Sequence, residues 1–133
     1  GVFNRAIVDR LMVLCKANNI DAVNLVDTQD DVPLSYRTDK ANSIAKSSGK
    51  PCIYVSIHAN GFDEEQANGW SVYTSRDKEA NFYVLANTSM PAILSENFFM
   101  TNYDNCHKYL LSEDGRDRIA KIHFEMIQQL ENG

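Results

Sequence analysis

The stretch from Cys52 to Asn60, CIYVSIHAN, constrains the fold of this chain more than any other. Its β-branched and aromatic residues predict a buried strand. A strand buried on both faces is typical of a parallel sheet that is covered by helices. Open α/β sheets bind ligands at the carboxyl ends of their strands, so His58 is the first candidate for chemistry. Taken alone, a histidine there is equally consistent with a hydrogen bond to a neighbouring loop.

The periodicity of the rest of the chain alternates between helical and strand-like. Strands alternating with helices predict a single α/β domain with a largely parallel sheet. Gly49 is expected to cap the second helix, and Asp104 is a candidate N-cap of the fourth. The predicted helices cover residues 2–18, 34–48, 79–86, 104–111 and 113–130, and the predicted strands cover 22–26, 52–60, 69–75 and 91–97.

Composition excludes several classes of partner. The 133 residues carry a formal net charge of −5 and no run of Lys or Arg, which argues against nucleic acid or an anionic membrane as the main partner. No apolar stretch approaches the roughly 20 residues that span a bilayer, so membrane insertion is not expected. The three cysteines contain no CxxC pair, so neither a structural zinc site nor a redox motif is indicated.

Two predicted strands end in groups that can do acid–base or metal chemistry. His58 ends one strand and Glu96 ends another, and neighbouring strands would bring both to the same edge. A neutral imidazole can ligate zinc, and a carboxylate beside a metal can move a proton. Glu96 is also consistent with a capping or salt-bridge role. The pair alone is not a metal site, because catalytic zinc normally takes three protein ligands.

Other motifs are weaker or absent. HExxH, GxSxG and the glycine-rich nucleotide-binding patterns do not occur. His107 and His123 fall on predicted helices, where a packing or surface role is favoured over ligation. Trp70 and Tyr73 could stack against a carbohydrate, but core packing is the favoured interpretation of both.

Several segments, in consistent order along nearly the whole chain, resemble one family. Ser56-Ile57-His58-Ala59-Asn60, with the later segment PAILSENFFMTN from Pro91 to Asn102, resembles the zinc-dependent N-acetylmuramoyl-L-alanine amidases, which are bacterial cell-wall hydrolases. Upstream, LSYR at 34–37 with Ala41-Asn42 resembles that family's Leu-x-x-Arg…Ala-Asn segment.

The resemblance implies a fold, a cofactor and a reaction. It implies a twisted, mainly parallel sheet flanked by helices on both faces, with Zn²⁺ held by two histidines and a glutamate. By motif match, His58 is one zinc ligand and Glu96 is the catalytic acid/base, while Asn60 and Asn97 are candidate substrate-binding residues. The implied reaction is hydrolysis of the amide bond between the lactyl group of N-acetylmuramic acid and L-alanine of the stem peptide. Peptidoglycan as substrate implies an extracytoplasmic location: periplasm, cell wall or secreted.

The chain departs from the family pattern in two places. The family's first histidine and its glutamate ligand would both fall before Gly1. The family also has a longer connection between the strand like 69–75 and the segment like 81–85. We therefore expect residues 1–133 to be an amidase catalytic domain that lacks its N-terminal strand and an internal segment near 75–77. A Cα–Cα separation well above about 3.8 Å near 75–77 would indicate omitted chain there.

Two alternative functions stay open at this point. One is a catalytically inactive relative that binds the cell wall or a partner protein, which the missing ligands favour. The other is a zinc carboxypeptidase of related architecture, in which Arg37 would bind a free terminal carboxylate. The oligomeric state does not follow from the sequence.

Overall fold

The computed structural model describes residues 2–61, 67–75 and 82–132. The connection near 75–77, where an internal segment is expected to be absent, therefore lies largely outside the described residues. The helices are α1 (Val2–Ala17), α2 (Leu34–Ser48), α3 (Tyr83–Ala86), α4 (Tyr103–Asn105) and α5 (Glu113–Asn132), and the strands are β1 (Tyr54–Asn60), β2 (Trp70–Thr74) and β3 (Ala92–Phe99). A π-helical stretch, Cys106–Leu110, continues directly from α4.

The described strands form one sheet in the order β1-β3-β2. The N–H of Tyr54 bonds to the carbonyl of Pro91 at 2.9 Å, and at the other end the carbonyl of Asn60 accepts from Met100 at 2.8 Å, so β1 and β3 are parallel. The N–H of Ser75, just after β2, bonds to the carbonyl of Ala92 at the start of β3 at 3.0 Å. At the other end, Gly69 and Phe99 both donate to the side chain of Asn105, so the start of β2 lies beside the end of β3 and the two strands are antiparallel. The α/β class is confirmed, but the sheet is mixed and only partly parallel. The half-exposed β2 fits an antiparallel edge position, because such strands tolerate solvent on one side.

The hydrogen bonds at the two ends of the parallel pair also give its register. They place Tyr54 opposite Ala92 and Asn60 opposite Phe99, so β3 holds one more residue than β1 over the same length. Phe98 has a left-handed backbone conformation, with φ of +62°, and accounts for this extra residue as a β-bulge. Its ring stacks on Tyr109 with 3.9 Å between centroids. The bulge lies just beyond Glu96, so the register is regular up to the candidate site.

The predicted strand over 22–26 is wrong. These residues have no regular secondary structure, and the first two apolar side chains, Ala22 and Val23, are exposed. The side-chain oxygen of Asn24 accepts from the N–H of Val26 at 3.0 Å. This local turn uses a backbone donor that a sheet would need, which is how Asn competes with regular structure.

The structure confirms one of the two cap predictions and contradicts the other. Gly49 caps α2 in the left-handed conformation with φ of +65°, as predicted. At α4 the predicted cap, Asp104, is wrong: the cap is Asn102, whose side chain accepts from the N–H of Asn105 at 2.9 Å. Both residues are good N-cap types, and the chain turns into the helix two residues earlier than predicted.

The structure divides into two compact units. The first comprises residues 1–23, 57–71 and 96–133. In it α1 packs against α5, and Arg10 forms ion pairs with Glu113 and Asp117. The buried side chains of these two helices include Ile7, Leu11, Cys15, Ile119, Ala120, His123 and Phe124.

The second unit comprises residues 24–56 and 72–95. Its core is a cluster of buried side chains against which Tyr73 packs, so the core interpretation of Tyr73 is confirmed. The amide side chain of Asn42 donates to the carbonyl of Asn87 at 3.0 Å and accepts from Ser89 at 2.8 Å, which ties α2 to the segment before β3. The cluster consists of Ala41, Tyr54, Val84, Leu85, Ala92 and Leu94. Among the described residues, no helix is long and apolar enough to cross a membrane.

Candidate functional site

His58 and Glu96 lie opposite each other on neighbouring parallel strands. The register that pairs Tyr54 with Ala92 pairs residue 58 with residue 96, four positions further along both strands. Opposite residues of a parallel pair project to the same face, and adjacent strands are about 4.8 Å apart. Both residues are half-buried. The structure therefore brings together the two groups that the sequence placed at separate strand ends.

A buried amide fixes the backbone beneath His58. The side-chain nitrogen of Asn97 donates to the carbonyl of His58 at 3.1 Å, and Asn97 is only 4% exposed. The bond joins residues 39 positions apart and ties β3 to β1 at the site itself. Asn97 thus has a structural contact that positions His58, and its role in binding substrate stays a prediction.

The carboxyl group of Glu96 is perturbed in the direction that acid–base work requires. Burial raises the pKa of Glu96 above its ordinary value, because a charged carboxylate loses solvation inside the protein. A carboxyl group with a raised pKa is a better proton carrier near neutral pH than a solvated one. The environment of Glu96 therefore suits a group that accepts and then donates a proton.

Asn60 lies at the end of β1, two residues beyond His58. Its side-chain oxygen accepts from the N–H of Gly61 at 2.9 Å, and its backbone carbonyl accepts from Met100 at 2.8 Å. These contacts shape the turn that leaves β1 beside the site. Substrate binding by Asn60 stays a prediction.

The remaining candidates from the sequence have other contacts. His123 is buried in α5, where its Nδ1 bonds to the carbonyl of Ile119 at 2.7 Å. His107 is exposed and stacks on Tyr103. Arg37 donates to the carboxylate of Asp31 at 3.3 Å and to the carbonyl of Val32 at 3.0 Å, so its guanidinium braces the loop before α2. These contacts suit structural roles for all three residues.

The donor set for a metal is incomplete in the described part of the chain. His58 supplies an imidazole, which fits zinc, and Glu96 lies beside it. Among the described residues, however, no three His, Cys, Asp or Glu side chains are grouped so that they could hold a metal ion. Catalytic zinc takes three protein ligands, so His58 fits as one member of a larger set.

Sequence reasoning missed two features next to the site. The side-chain oxygen of Asn105, which is buried, accepts from the N–H of Gly69 at 3.0 Å and from that of Phe99 at 3.2 Å. Trp70 is 54% exposed, so its assignment to the core is wrong. The capping residue types at Asn102, Asp104 and Asn105 were the available signal for the role of Asn105. The exposure of Trp70 depends on β2 being an edge strand.

Comparisons with known proteins agree with this architecture. A family model described as N-acetylmuramoyl-L-alanine amidase matches the chain in two stretches, residues 2–80 and 75–129. The curated protein N-acetylmuramoyl-L-alanine amidase CwlM of Bacillus licheniformis is 30% identical in a match that covers 77% of this chain and 48% of the relative. The chain thus spans about half the length of that relative.

Solved structures match almost the full chain. The catalytic domain of CwlV, an N-acetylmuramoyl-L-alanine amidase from Bacillus (Paenibacillus) polymyxa var. colistinus, gives a TM-score of 0.81 at 22% identity, covering 98% of this chain and 84% of that one. N-acetylmuramoyl-L-alanine amidase AmiC2 of Nostoc punctiforme gives 0.82 at 25% identity, covering 96% and 82%. Because the family model accounts for nearly all of the chain, this protein belongs to the N-acetylmuramoyl-L-alanine amidase family.

Proposed function

We propose that this chain is the catalytic part of a zinc-dependent N-acetylmuramoyl-L-alanine amidase. The substrate bond would be the amide between the lactyl group of N-acetylmuramic acid and L-alanine of the stem peptide. The observation that carries the proposal is the register of β1 and β3, which sets His58 and Glu96 opposite each other on one face of the sheet. Membership of the amidase family supports it.

The mechanism assigns one role to each of the two residues. His58 would hold Zn²⁺ as one of three protein ligands, and the metal would supply Lewis-acid chemistry at the amide carbonyl and at the attacking water. Glu96 removes a proton from the attacking water as its oxygen bonds to the carbonyl carbon. Glu96 then delivers that proton to the departing nitrogen of L-alanine as the C–N bond breaks. The products are a free lactyl carboxylate and a stem peptide with a free amino terminus.

The surrounding residues would support this step. Asn97 holds the backbone of His58 in place through its 3.1 Å bond and so limits movement of the imidazole. Asn60, at the end of the same strand, is proposed to contact the substrate. The substrate is peptidoglycan, which places the protein outside the cytoplasm: in the periplasm, in the cell wall or secreted. The net charge of −5 is unfavourable for nucleic acid as a partner.

The test uses the full-length protein and purified peptidoglycan. The expected products are stem peptides with a new N-terminal L-alanine, detected by mass spectrometry. Glu96→Gln keeps the size of the side chain but cannot carry the proton, so release should fall about a hundredfold or more. Glu125→Gln, an exposed change on α5, is the matched control and should leave release unchanged. Full activity of Glu96→Gln would refute the assigned role.

Metal content tests the ligand role without relying on activity. His58→Ala should lower the zinc bound per molecule, because one of three ligands is removed. His107→Ala, which changes an exposed histidine, should leave zinc content unchanged. Wild-type protein that pellets with peptidoglycan but releases nothing would support the inactive-relative alternative. Release of a terminal amino acid instead of whole stem peptides would support the carboxypeptidase alternative.

A further inference from the structure

Phe98 has a backbone conformation that an aromatic residue rarely adopts. Its φ of +62° lies in the left-handed region, which bulky L-residues seldom visit. The bulge that it forms is also unusual, because bulges are rare between parallel strands and glycine normally occupies a left-handed bulge position. Strain of this kind persists only where the surrounding structure imposes it, and it is concentrated at functional sites. Phe98 lies two residues beyond Glu96, so the strain is located beside the proposed proton carrier.

The ring of Phe98 has a partner that holds this conformation. It stacks on Tyr109 with 3.9 Å between the ring centroids and 6° between the ring planes. The contact shields the facing sides of both rings from water, and this burial offsets the strain at Phe98. The next residue is held as well, because the N–H of Phe99 donates to the buried side-chain oxygen of Asn105 at 3.2 Å. The bonds of Asn105 to Phe99 and to Gly69 together form the Asn105 junction.

Tyr109 belongs to a backbone segment that leaves it little freedom. It lies in the π-helical stretch Cys106–Leu110, which is closed by a bond from the N–H of Leu111 to the carbonyl of Cys106 at 2.8 Å. Gly115 of α5 lies so close to the backbone of Tyr109 that a Cβ on Gly115 would overlap with the Cα of Tyr109. The ring of Tyr109 therefore offers Phe98 a fixed surface.

We propose that the stack of Phe98 on Tyr109 is a positioning device that keeps Glu96 opposite His58. The inference rests on the proposed function, because it names residues that orient the proton carrier of that same reaction. The stack holds the extra residue of β3 at position 98, and this fixes which side chain lies opposite His58. Phe98 and Tyr109 are positioning residues and take no part in the chemical step.

The register of the sheet defines what the device prevents. β3 holds one more residue than β1, so the extra residue must be accommodated somewhere along the pair. With the bulge at Phe98, Glu96 pairs with His58. A bulge placed before Glu96 would shift the pairing by one residue, which turns Glu96 to the other face and sets Asn97 opposite His58. An amide cannot carry the proton in place of a carboxyl group, so that register would be inactive.

The first experiment compares kcat and KM for stem-peptide release by variants of the full-length protein. Tyr109→Ala removes the stacking partner and should lower kcat about 10- to 100-fold, the range expected when a reacting group is displaced by about 1 Å. KM should change by less than about twofold, because Phe98 and Tyr109 act on the transition state only through Glu96. Tyr36→Ala, which removes an exposed tyrosine from α2, is the matched control and should keep the kcat of wild type.

The decisive variant is Phe98→Gly, because glycine adopts the left-handed conformation without strain. The bulge then stays at position 98 without the stack, so kcat should remain within about twofold of wild type. In the double variant, Phe98→Gly should restore the kcat that Tyr109→Ala loses. Phe98→Val introduces a β-branched residue that avoids positive φ, and it should lose kcat as Tyr109→Ala does. If the stack contributed only to stability, adding Phe98→Gly to Tyr109→Ala would restore nothing.

The second experiment reports the register without relying on activity. In His58→Cys/Glu96→Cys the two thiols lie opposite each other, so a short bifunctional thiol reagent should join them. Mass spectrometry of the digested protein identifies this cross-link among the products of the other cysteines. Adding Tyr109→Ala should lower the initial rate of cross-linking, and adding Phe98→Gly as well should restore that rate.

Each outcome decides the matter. Wild-type kcat in Tyr109→Ala, no rescue by Phe98→Gly, or an unchanged cross-linking rate in Tyr109→Ala would overturn the proposal. If Tyr109→Ala does not fold, the comparison moves to position 98, where equal kcat values for Phe98→Val and Phe98→Gly overturn it. Release that depends on Glu96 but on neither Phe98 nor Tyr109 refutes the positioning device alone. Cross-linking that depends on Tyr109, in a protein whose wild type releases no stem peptide, refutes the proposed function alone.

Discussion

Gly115 occupies the first turn of α5, where a larger residue would normally be preferred. Replacing a helix glycine with alanine usually stabilises the helix, by up to about 1 kcal/mol. Here a Cβ on Gly115 would lie 2.7 Å from the carbonyl oxygen of Lys108 and still closer to the Cα and carbonyl oxygen of Tyr109. These are backbone atoms of the π-helical stretch, so no side-chain rotation relieves the overlap.

The size of the effect follows from these opposing contributions. Overpacking costs about 1–3 kcal/mol, and overlap with backbone atoms places this site at the upper end of that range. Subtracting the gain in helix propensity leaves a net loss of about 2 kcal/mol for Gly115→Ala. The shift would also strain the bond in which the N–H of Gly115 donates to the capping hydroxyl of Ser112 at 2.9 Å.

Urea unfolding followed by circular dichroism measures this loss directly. Gly49→Ala is the matched control, because a Cβ there meets nothing within 4 Å while φ is +65°. It should cost about 1 kcal/mol, from left-handed backbone strain alone. If Gly115→Ala proved as stable as wild type or more so, the backbone-overlap argument would be refuted.

Three further predictions concern the core, the buried histidine and the Asn105 junction. Leu94→Ala should lower the free energy of unfolding by about 2–5 kcal/mol, whereas Ile122→Ala, at an exposed position, should change it by less than about 0.5, both measured in urea. Burial lowers the pKa of His123, so the unfolded chain binds a proton where the folded one does not. Burial of the neutral imidazole of His123 therefore costs no stability above pH 6.5, but as the pH falls proton binding favours the unfolded chain. His123→Leu removes this group and should flatten the decline in the free energy of unfolding between pH 7 and 5. A decline as steep as that of wild type would contradict this. Asn105→Ala should cost about 1–3 kcal/mol, because it leaves two backbone N–H groups without their acceptor; Asn105→Asp should recover much of this loss in the same assay.

Elements set by local chemistry could be predicted from the sequence. The helical spacing of apolar residues gave α1, α2 and α5, and Gly49 marked the end of α2, because helix periodicity and the left-handed cap depend on neighbours along the chain. The strand that contains His58 and the one that contains Glu96 were also predicted, and they run to Asn60 and Phe99. The strand over 22–26 was not formed, because a strand needs a partner and the turn at Asn24 uses one of its donors.

The sequence by itself predicted two strands that carry His58 and Glu96 towards their carboxyl ends, and motifs that resemble those of an amidase. Only the tertiary structure decided that β1 and β3 are neighbours, that the two residues face each other, and that β2 runs antiparallel at the edge. The same pairing leaves Trp70 exposed, against the prediction that it packs in the core. The reason is that strand order and register come from hydrogen bonds between distant segments, such as the one linking residues 39 positions apart at His58, and local patterns carry little information about them.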